Sequence, residues 1–224
     1  MSINKITWTV LATWLAAVLF VGTVGGFQQP HGQPPLPLLL ALTLPLATFL
    51  AAYYRSTAFR QLVLTADLGT LAAVQAWRAG GLGFLSLCAY GLLPGLFAWP
   101  AGLGDIAIGA TAPWIGAALA RPAFAGTRRF VTWNLLGILD LVVAVSLGVL
   151  ASGLVPDVTT VPTTPMSQLP LVLIPAYLVP LFVMLHLTAL FQARRLQQGF
   201  AASAASRGQS HDHAGHERRL PTWS

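Results

Sequence analysis

The chain has 224 residues, of which 55% are hydrophobic and 8% are charged, and its formal net charge at pH 7 is +6. A soluble domain of this size carries about 25% charged residues, so this chain has too little polar surface for a water-soluble globular protein. Several apolar runs reach the roughly 20 residues that a helix needs to cross a bilayer. The sequence therefore predicts an all-α integral membrane protein.

The apolar runs predict a bundle of six transmembrane helices in a single domain over residues 1–192. The predicted spans are residues 6–25, 36–54, 81–99, 105–120, 131–151 and 169–192. Residues 58–78 are also apolar, but at about 100° per residue Arg60, Asp67 and Arg78 fall on one side of a helix. Apolar side chains cover the opposite side. We therefore predict that this segment is one amphipathic helix in the cytoplasmic interface rather than a seventh span.

The basic residues give the predicted topology. They lie before span one, between spans two and three, between spans four and five, and after span six, whereas the connections 26–35, 100–104 and 152–168 contain no Lys or Arg. The positive-inside rule then places both termini in the cytoplasm. Topology and anionic lipid headgroups account for the basic balance, so the bilayer is the expected partner and nucleic-acid binding is not predicted.

The predicted location is a bacterial inner (plasma) membrane, as a multi-pass protein. All basic residues except Lys5 are arginines, and together with abundant Ala, Gly and Leu this composition is typical of a GC-rich bacterial genome. The first span has an alternative reading as a signal peptide, because Lys5 precedes it and small residues follow it. Its apolar stretch is long for that role, and its removal would leave five spans.

One aspartate, Asp105, lies at the start of predicted span four, after the Pro- and Gly-rich segment "PAGLG". In that place its carboxylate would cap the helix N-terminus and face the positive end of the helix dipole. The alternative is an external ion or solute site that acts as an outer gate. Small residues that share its helix face indicate close helix packing and make a homodimer plausible.

A second aspartate, Asp140, falls in the middle of predicted span five. An intramembrane carboxylate costs roughly 2.5–3.5 kcal/mol on insertion scales and usually faces the bundle interior. His186 falls at a similar depth in span six, and Asn134 lies near Asp140 on span five. We predict an Asp140–His186 hydrogen bond, which either moves a proton or binds a cation, or only fixes the helix register.

The tail, residues 193–224, is basic and predicted to be disordered. Within this tail, a stretch of six residues contains His211, His213 and His216. Such a cluster could bind a divalent transition metal such as Zn²⁺, Ni²⁺ or Cu²⁺. No other cofactor is predicted.

These patterns favour a small proton-linked permease for an ion or solute. Asp140, His186 and Asn134 would form its midplane site and Asp105 its outer gate. The alternative is a non-catalytic membrane scaffold, assembly or sensing factor that acts through partner proteins. An enzyme is the least favoured class, because the sequence contains no "GxxxxGK[ST]", "HExxH", "CxxC" or "GxSxG" motif.

Overall fold

The computed structural model describes residues 3–30, 33–155 and 158–217. It is 82% helical, and the described residues form no strand, so the predicted all-α class is confirmed. Helices are the expected solution for such an apolar chain, because in a bilayer every backbone N–H and C=O group must be satisfied within the protein.

The α-helices follow one another with short connections. They are α1 (Ile3–Thr23), α2 (Leu36–Arg55), α3 (Thr57–Leu64), α4 (Leu68–Gln75), α5 (Leu82–Ala89), α6 (Gly95–Ala118), α7 (Arg128–Val149) and α8 (Val179–Glu217). Short 3₁₀ segments lie at Ala76–Gly81, Pro122–Gly126 and Thr164–Ser167, and π-helical turns lie at Leu150–Leu154 and Ile174–Leu178.

Among the residues that the structure describes, four helical segments are long and apolar enough to cross a membrane, which is consistent with a helical membrane protein. They are Lys5–Thr23, Leu36–Arg55, Arg128–Leu154 and Ile174–Gly199. The first three coincide, within three residues at each end, with predicted spans one, two and five, and the fourth overlaps predicted span six with a shift of five to seven residues toward the C-terminus. The total of six spans remains a prediction.

The predicted bounds of spans three and four are wrong. The turn lies at 90–94, where Gly91 has φ of +69° and Pro94 precedes the first residue of α6. The segment 100–104, predicted as the turn, lies inside α6. Both segments have a Pro- and Gly-rich composition, and packing distinguishes them: a methyl group at Gly102 would lie 2.9 Å from the carbonyl oxygen of Gly81. The glycine in α6 thus permits close helix approach and makes no turn.

The single amphipathic helix predicted for residues 58–78 is also wrong, because this segment contains two breaks. Ser56 caps α3 by accepting from the backbone N–H of Phe59 at 3.2 Å, and Asp67 caps α4 by accepting from that of Thr70 at 2.6 Å. The chain then tightens into the 3₁₀ segment Ala76–Gly81. A single helical period therefore does not describe which side chains of the segment share a face. Arg78, which was predicted on the exposed polar face, is buried, with 2% of its surface exposed.

Helix α4, the 3₁₀ segment and α5 together run antiparallel to α6 as one interrupted helical arm, residues 68–89. Leu68 packs in the same apolar cluster as Ile115, near the C-terminal end of α6. At the other end, the rings of Phe84 and Phe97 meet edge to face with centroids 5.3 Å apart. The interruption in this arm positions Arg78 against the middle of α6.

The last helix, α8, continues through residues 193–217, for which the sequence predicts disorder. The Ala-rich run "FAASAAS" contains neither Pro nor Gly and has high helix propensity, which favours continuation of the helix. The candidate membrane-crossing part of this helix ends at Gly199.

Candidate functional site

The centre of the structure is a buried arginine, Arg78. It lies on the 3₁₀ segment between α4 and α5, and its side chain has no exposed surface. A methyl group at Gly109 of α6 would overlap the backbone of residues Arg78 and Ala79, so the glycine lets the 3₁₀ segment lie directly on α6. The guanidinium therefore projects between α6, α7 and α8 rather than toward solvent.

Three oxygen acceptors from two helices surround this guanidinium. Its Nε donates to Oδ1 of Asp105 on α6 at 2.7 Å, and its Nη2 donates to Oδ2 of Asp140 on α7. Its Nη1 donates to the carbonyl oxygen of Gly137 at 3.2 Å. Arg78 thus takes part in both ion pairs found among the described residues.

His186 on α8 extends the network from Arg78 to Asn134. Its Nε2 lies 3.1 Å from Nη1 of Arg78, and its Nδ1 lies 2.9 Å from Oδ1 of Asn134. Because arginine only donates hydrogen bonds, Nε2 must be the acceptor, and the ring proton lies on Nδ1. The Asn134 amide is oriented consistently, since its Nδ2 donates to the carbonyl oxygen of Phe130 at 2.9 Å. His186 is therefore neutral and bonded on both sides.

Two glycines on α6 and α7 make room for this network. A methyl group at Gly104 would overlap the carboxylate of Asp140, and one at Gly137 would overlap the imidazole of His186. The polar side chains thus lie directly on the backbone of the neighbouring helix. Any larger residue at either glycine would displace them.

Aromatic residues cover the network on two sides. The ring of Trp133 meets that of His186 at a centroid distance of 5.4 Å, and its Nε1 donates to Oγ1 of Thr111 at 2.9 Å. The guanidinium carbon of Arg78 lies 5.9 Å from the centroid of the Phe182 ring. These contacts keep the charges in an apolar environment, where electrostatic interactions are strong.

The network has an unequal number of charges. It contains one guanidinium and two carboxyl groups, and its histidine is neutral by the hydrogen-bond pattern. With both aspartates ionised, the group has a net charge of −1. An unpaired buried charge is costly, so either a proton or a cation must balance it.

A cavity of about 110 Å³ extends from the connecting loops to Asp105. Chain order gives its depth: Gln33 and Thr163 line it at the loop end, whereas Leu141 and Asp105 lie deepest along their helices. Its walls are mainly aliphatic and aromatic, and Asp105 is the one charged residue among the described residues that line it. One member of the buried ion network is thus accessible from the loop end.

A smaller pocket, of about 10 Å³, lies beside the other end of the network. Asn134, Trp133 and Gln75 line it together with Phe130, near the start of α7, and with Leu185 and Ala189 on α8. The Oε1 atom of Gln75 has no hydrogen-bond partner among the described residues. A space of this size holds about one water molecule. The network therefore lies between a wide cavity and a narrow, mainly apolar pocket whose lining includes Gln75 and Asn134.

The structure brings together the four polar residues that the sequence marks as candidates. The network around Arg78 contains all four: Asp105, Asp140, Asn134 and His186. Arg78 itself was not predicted as a site residue from the sequence. The predicted N-cap and outer-gate position of Asp105 is wrong, because Asp105 lies within α6, ten residues after its start. The predicted direct Asp140–His186 bond is also wrong, since both residues contact Arg78 instead.

The predicted metal site lies outside the described side chains. Nothing is described of the side chains of His211, His213 and His216, although their backbone belongs to α8. Elsewhere in the described chain, no group of three or more His, Cys, Asp or Glu residues is arranged to hold a metal ion.

The chain belongs to a family whose domain is described as a domain of unknown function (DUF8737), and the match covers residues 35–194. This range contains the whole Arg78 network. A search of curated proteins and a search of solved structures gave no match.

Proposed function

We propose that this member of the DUF8737 family is a small proton-linked permease of a bacterial inner membrane, with the Arg78 network as its central polar site. The observation that carries this proposal is the cavity that reaches from the loop end to Asp105, whose carboxylate is bonded to Arg78. A packed scaffold has no need for such an opening onto a buried charge. Transport requires it.

The six-span topology fits this proposal when spans three and four are redrawn. The interrupted arm 68–89 becomes span three and α6 becomes span four. Arg55, Arg60 and Asp67 then lie on the cytoplasmic side, and the basic residues outside Arg78 keep the distribution that the positive-inside rule requires. Arg78 and Asp105 each fall about ten residues, or roughly 15 Å, from an end of their span. The charged network thus occupies the proposed midplane.

An interrupted span is a further argument for transport. Transporters commonly form their sites where a transmembrane helix is discontinuous, because the irregular backbone there lines a cavity or the bundle interior. A 3₁₀ stretch within a helix also often marks a hinge. Here the 3₁₀ segment Ala76–Gly81 carries Arg78 itself, so bending at that segment would move the guanidinium relative to Asp105 and Asp140.

The groups of the network have distinct roles in this proposal. Arginine stays protonated in proteins, so Arg78 acts as a fixed positive charge that two carboxylates share. Asp105 and Asp140 are the groups that can gain or lose a proton. Neutral His186 accepts from Arg78 and donates to Asn134, which anchors the guanidinium to α7 and α8. Loss of one ion pair would allow the interrupted arm to shift against α6.

Two-sided access distinguishes a permease from a scaffold, and cysteine labelling measures it. In a Cys88→Ala background, Ala144→Cys places a thiol in the cavity, and Ala72→Cys places one in the small pocket, where Ala72 is 3% exposed. A permease must open on both sides, so an impermeant thiol reagent should modify Ala144→Cys from the periplasmic side and Ala72→Cys from the cytoplasmic side.

Matched control positions lie on the same structure. Val142→Cys places a thiol on the outward-facing, lipid-exposed side of α7, and Ala112→Cys places one in a packed interior site at 0% exposure. Neither thiol should react with the impermeant reagent. If Ala72→Cys is as unreactive as Ala112→Cys, the protein does not open toward the cytoplasm, and the scaffold alternative replaces the permease.

A further inference from the structure

The geometry points to a small organic monocation with an apolar body as the ligand of the cavity, bound in exchange for one proton. This inference rests on the proposed function, because it assigns the substrate class of the same site. It follows from three features of the site: the charge count, the free edge of Asp105, and the shape and chemistry of the walls.

The charge count sets the sign of the ligand. Arg78, Asp105, Asp140 and His186 are the titratable groups that face one another from the interrupted arm, α6, α7 and α8. Because His186 accepts from Arg78, it carries no charge, and one positive group faces two carboxyl groups. A second positive charge completes the balance. An anionic ligand would instead raise the net negative charge of a buried site.

Asp105 offers the position for that second charge. Its Oδ1 accepts from Arg78, whereas its Oδ2 accepts no hydrogen bond from any described residue. The side chain retains 16% exposure and lines the cavity. The carboxylate thus has one oxygen bonded to the guanidinium and one oxygen without a donor among the described residues, and an ammonium N–H in the cavity can donate to it. A charge-assisted hydrogen bond of this kind is about twice as strong as a neutral one.

The walls set the chemistry of the rest of the ligand. Leucine, valine, proline and phenylalanine side chains predominate among the lining residues, including Leu38, Leu141, Val145, Phe84 and Phe97. A cavity of about 150 Å³ holds a benzene molecule, so the about 110 Å³ found here suits a body of roughly five or six heavy atoms. A longer tail would extend toward Gln33 and the loop end.

Binding of the cation then releases a proton. In the empty site, one proton on Asp105, the carboxyl group that lines the cavity, balances the network. When the ammonium group arrives, the O–H bond of that carboxylic acid breaks, its electron pair stays on the carboxylate, and the proton passes to water in the cavity. No electron transfer is involved. One cation enters for each proton that leaves, so the net charge of the site is unchanged.

A matched set of probes tests the assignment by the sign of their charge. The full-length purified protein is titrated calorimetrically with pentylammonium, pentanol and pentanoate, which have similar length and differ in head group. We expect binding of pentylammonium alone, with release of about one proton per ligand, measured by repeating the titration in buffers of different ionisation enthalpy. Equal binding of pentanol, preferential binding of pentanoate, or cation binding without proton release would overturn the inference.

Two variants locate the ligand. Asp105→Asn should weaken pentylammonium binding by at least about tenfold and abolish the proton release, whereas Asp67→Asn, at an exposed carboxylate, should change neither. Ala144→Phe fills the cavity, leaves every charged residue of the network in place and should also abolish binding, which keeps the test valid if Asp105→Asn does not fold. Unchanged binding in Ala144→Phe would contradict the cavity as the site.

The labelling experiment tests the permease proposal, and the titration tests the ligand class, so the two proposals can be contradicted independently. If Ala72→Cys reacts from the cytoplasmic side but pentylammonium does not bind, the permease proposal remains and the substrate class is wrong. If pentylammonium binds with proton release but Ala72→Cys stays unreactive, the ligand assignment remains and the protein binds the cation without transporting it.

Discussion

The Nη1 atom of Arg78 lies 3.1 Å from the Nε2 atom of His186, and this contact defines the protonation of the imidazole. Since the guanidinium can only donate, His186 is neutral and carries its proton on Nδ1, toward Asn134. His186 therefore positions the guanidinium that Asp140 also contacts. Asp140 and His186 thus influence each other through Arg78, without a direct hydrogen bond between them.

This indirect link predicts that substitutions at Asp140 and His186 are not additive. In a double-mutant cycle with Asp140→Asn and His186→Asn, we expect an interaction energy of about 0.5–3 kcal/mol, because the two residues share one partner. The free energy of unfolding in detergent is the quantity measured. A reference cycle of Asp140→Asn with Thr111→Ala should be additive within about 0.5 kcal/mol, since Thr111 contacts Trp133 and not Arg78. Equal coupling in both cycles would contradict the shared-partner network.

Removal of the buried cation should be the most damaging substitution in the network. Arg78→Gln leaves two carboxyl groups without their counter-charge in an apolar environment, and we expect a loss of about 3–5 kcal/mol in stability. Arg78→Lys keeps the charge but not the fork that reaches four acceptors, so its loss of stability should be intermediate. Thermal unfolding of the purified protein measures both.

The matched control for Arg78→Gln is Arg129→Gln, which removes an exposed arginine at the start of α7. Its effect should stay within about 0.5 kcal/mol, as for most surface substitutions. If Arg78→Gln and Arg129→Gln were equally stable, the guanidinium would not hold the network together.

The polar members of the site were predictable from the sequence because their cost is visible there. Asp140 and His186 interrupt long apolar runs, and a polar group in such a run needs a partner whatever the detailed fold. Their depth along the chain also indicated a common layer. What the sequence did not reveal was the identity of the partner, because Arg78 followed the helical period of a segment that the structure divides into three parts.

A signal for Arg78 was nevertheless present in the charge balance. Two carboxylates, Asp105 and Asp140, lie within apolar stretches, and Arg78 is a basic residue in the apolar stretch 68–89. Buried charges are rarely left unpaired, so this combination favours their contact. The position of the turn between α5 and α6 was harder to predict from the sequence, since "GLLPG" at 91–95 and "PAGLG" at 100–104 have the same turn-forming composition. Only the packing of α6 against the 3₁₀ segment separates them.

The cap of α4 should give a pH-dependent contribution to stability. Hydrogen bonds from the side chain and backbone N–H of Thr70 lower the pKa of Asp67 below its usual 3.8. Because the folded-state pKa is lowered, the stabilisation is fully present above the unfolded-state value and is lost as the pH falls through the folded-state value. The difference in melting temperature between the wild type and Asp67→Asn should therefore shrink as the pH is lowered from about 6 toward 3.

A cap without a titrating group provides the comparison for Asp67. Thr127 caps α7 by accepting from the backbone N–H of Phe130 at 3.3 Å, and Thr127→Ala should cost about 1 kcal/mol. Its deficit relative to the wild type should be independent of pH over the same range. A difference for Asp67→Asn that grew at low pH would show that the carboxylate does not stabilise the helix in its ionised form.

The glycines under the network should be indispensable where they touch it and replaceable where they do not. A methyl group at Gly104 would overlap the carboxylate of Asp140, whereas a methyl group at Gly116, on the same helix, meets nothing within 4 Å. Gly104→Ala should displace Asp140 from Arg78 and destabilise the protein by about 1–3 kcal/mol, the range for inserting a group into a packed site. Gly116→Ala should be neutral or stabilising by up to about 1 kcal/mol, because alanine favours the helix.

Thermal unfolding of the two variants measures this contrast, and a second substitution tests its cause. In the double variant Gly104→Ala/Asp140→Ala the overlapping carboxylate is absent, so the added penalty of the alanine at 104 should largely disappear relative to Asp140→Ala alone. A penalty that persisted undiminished would mean that Gly104 is required for backbone packing and not for the position of Asp140. Recovery in the double variant would establish that the close approach of α6 to α7 is what holds this carboxylate against the guanidinium.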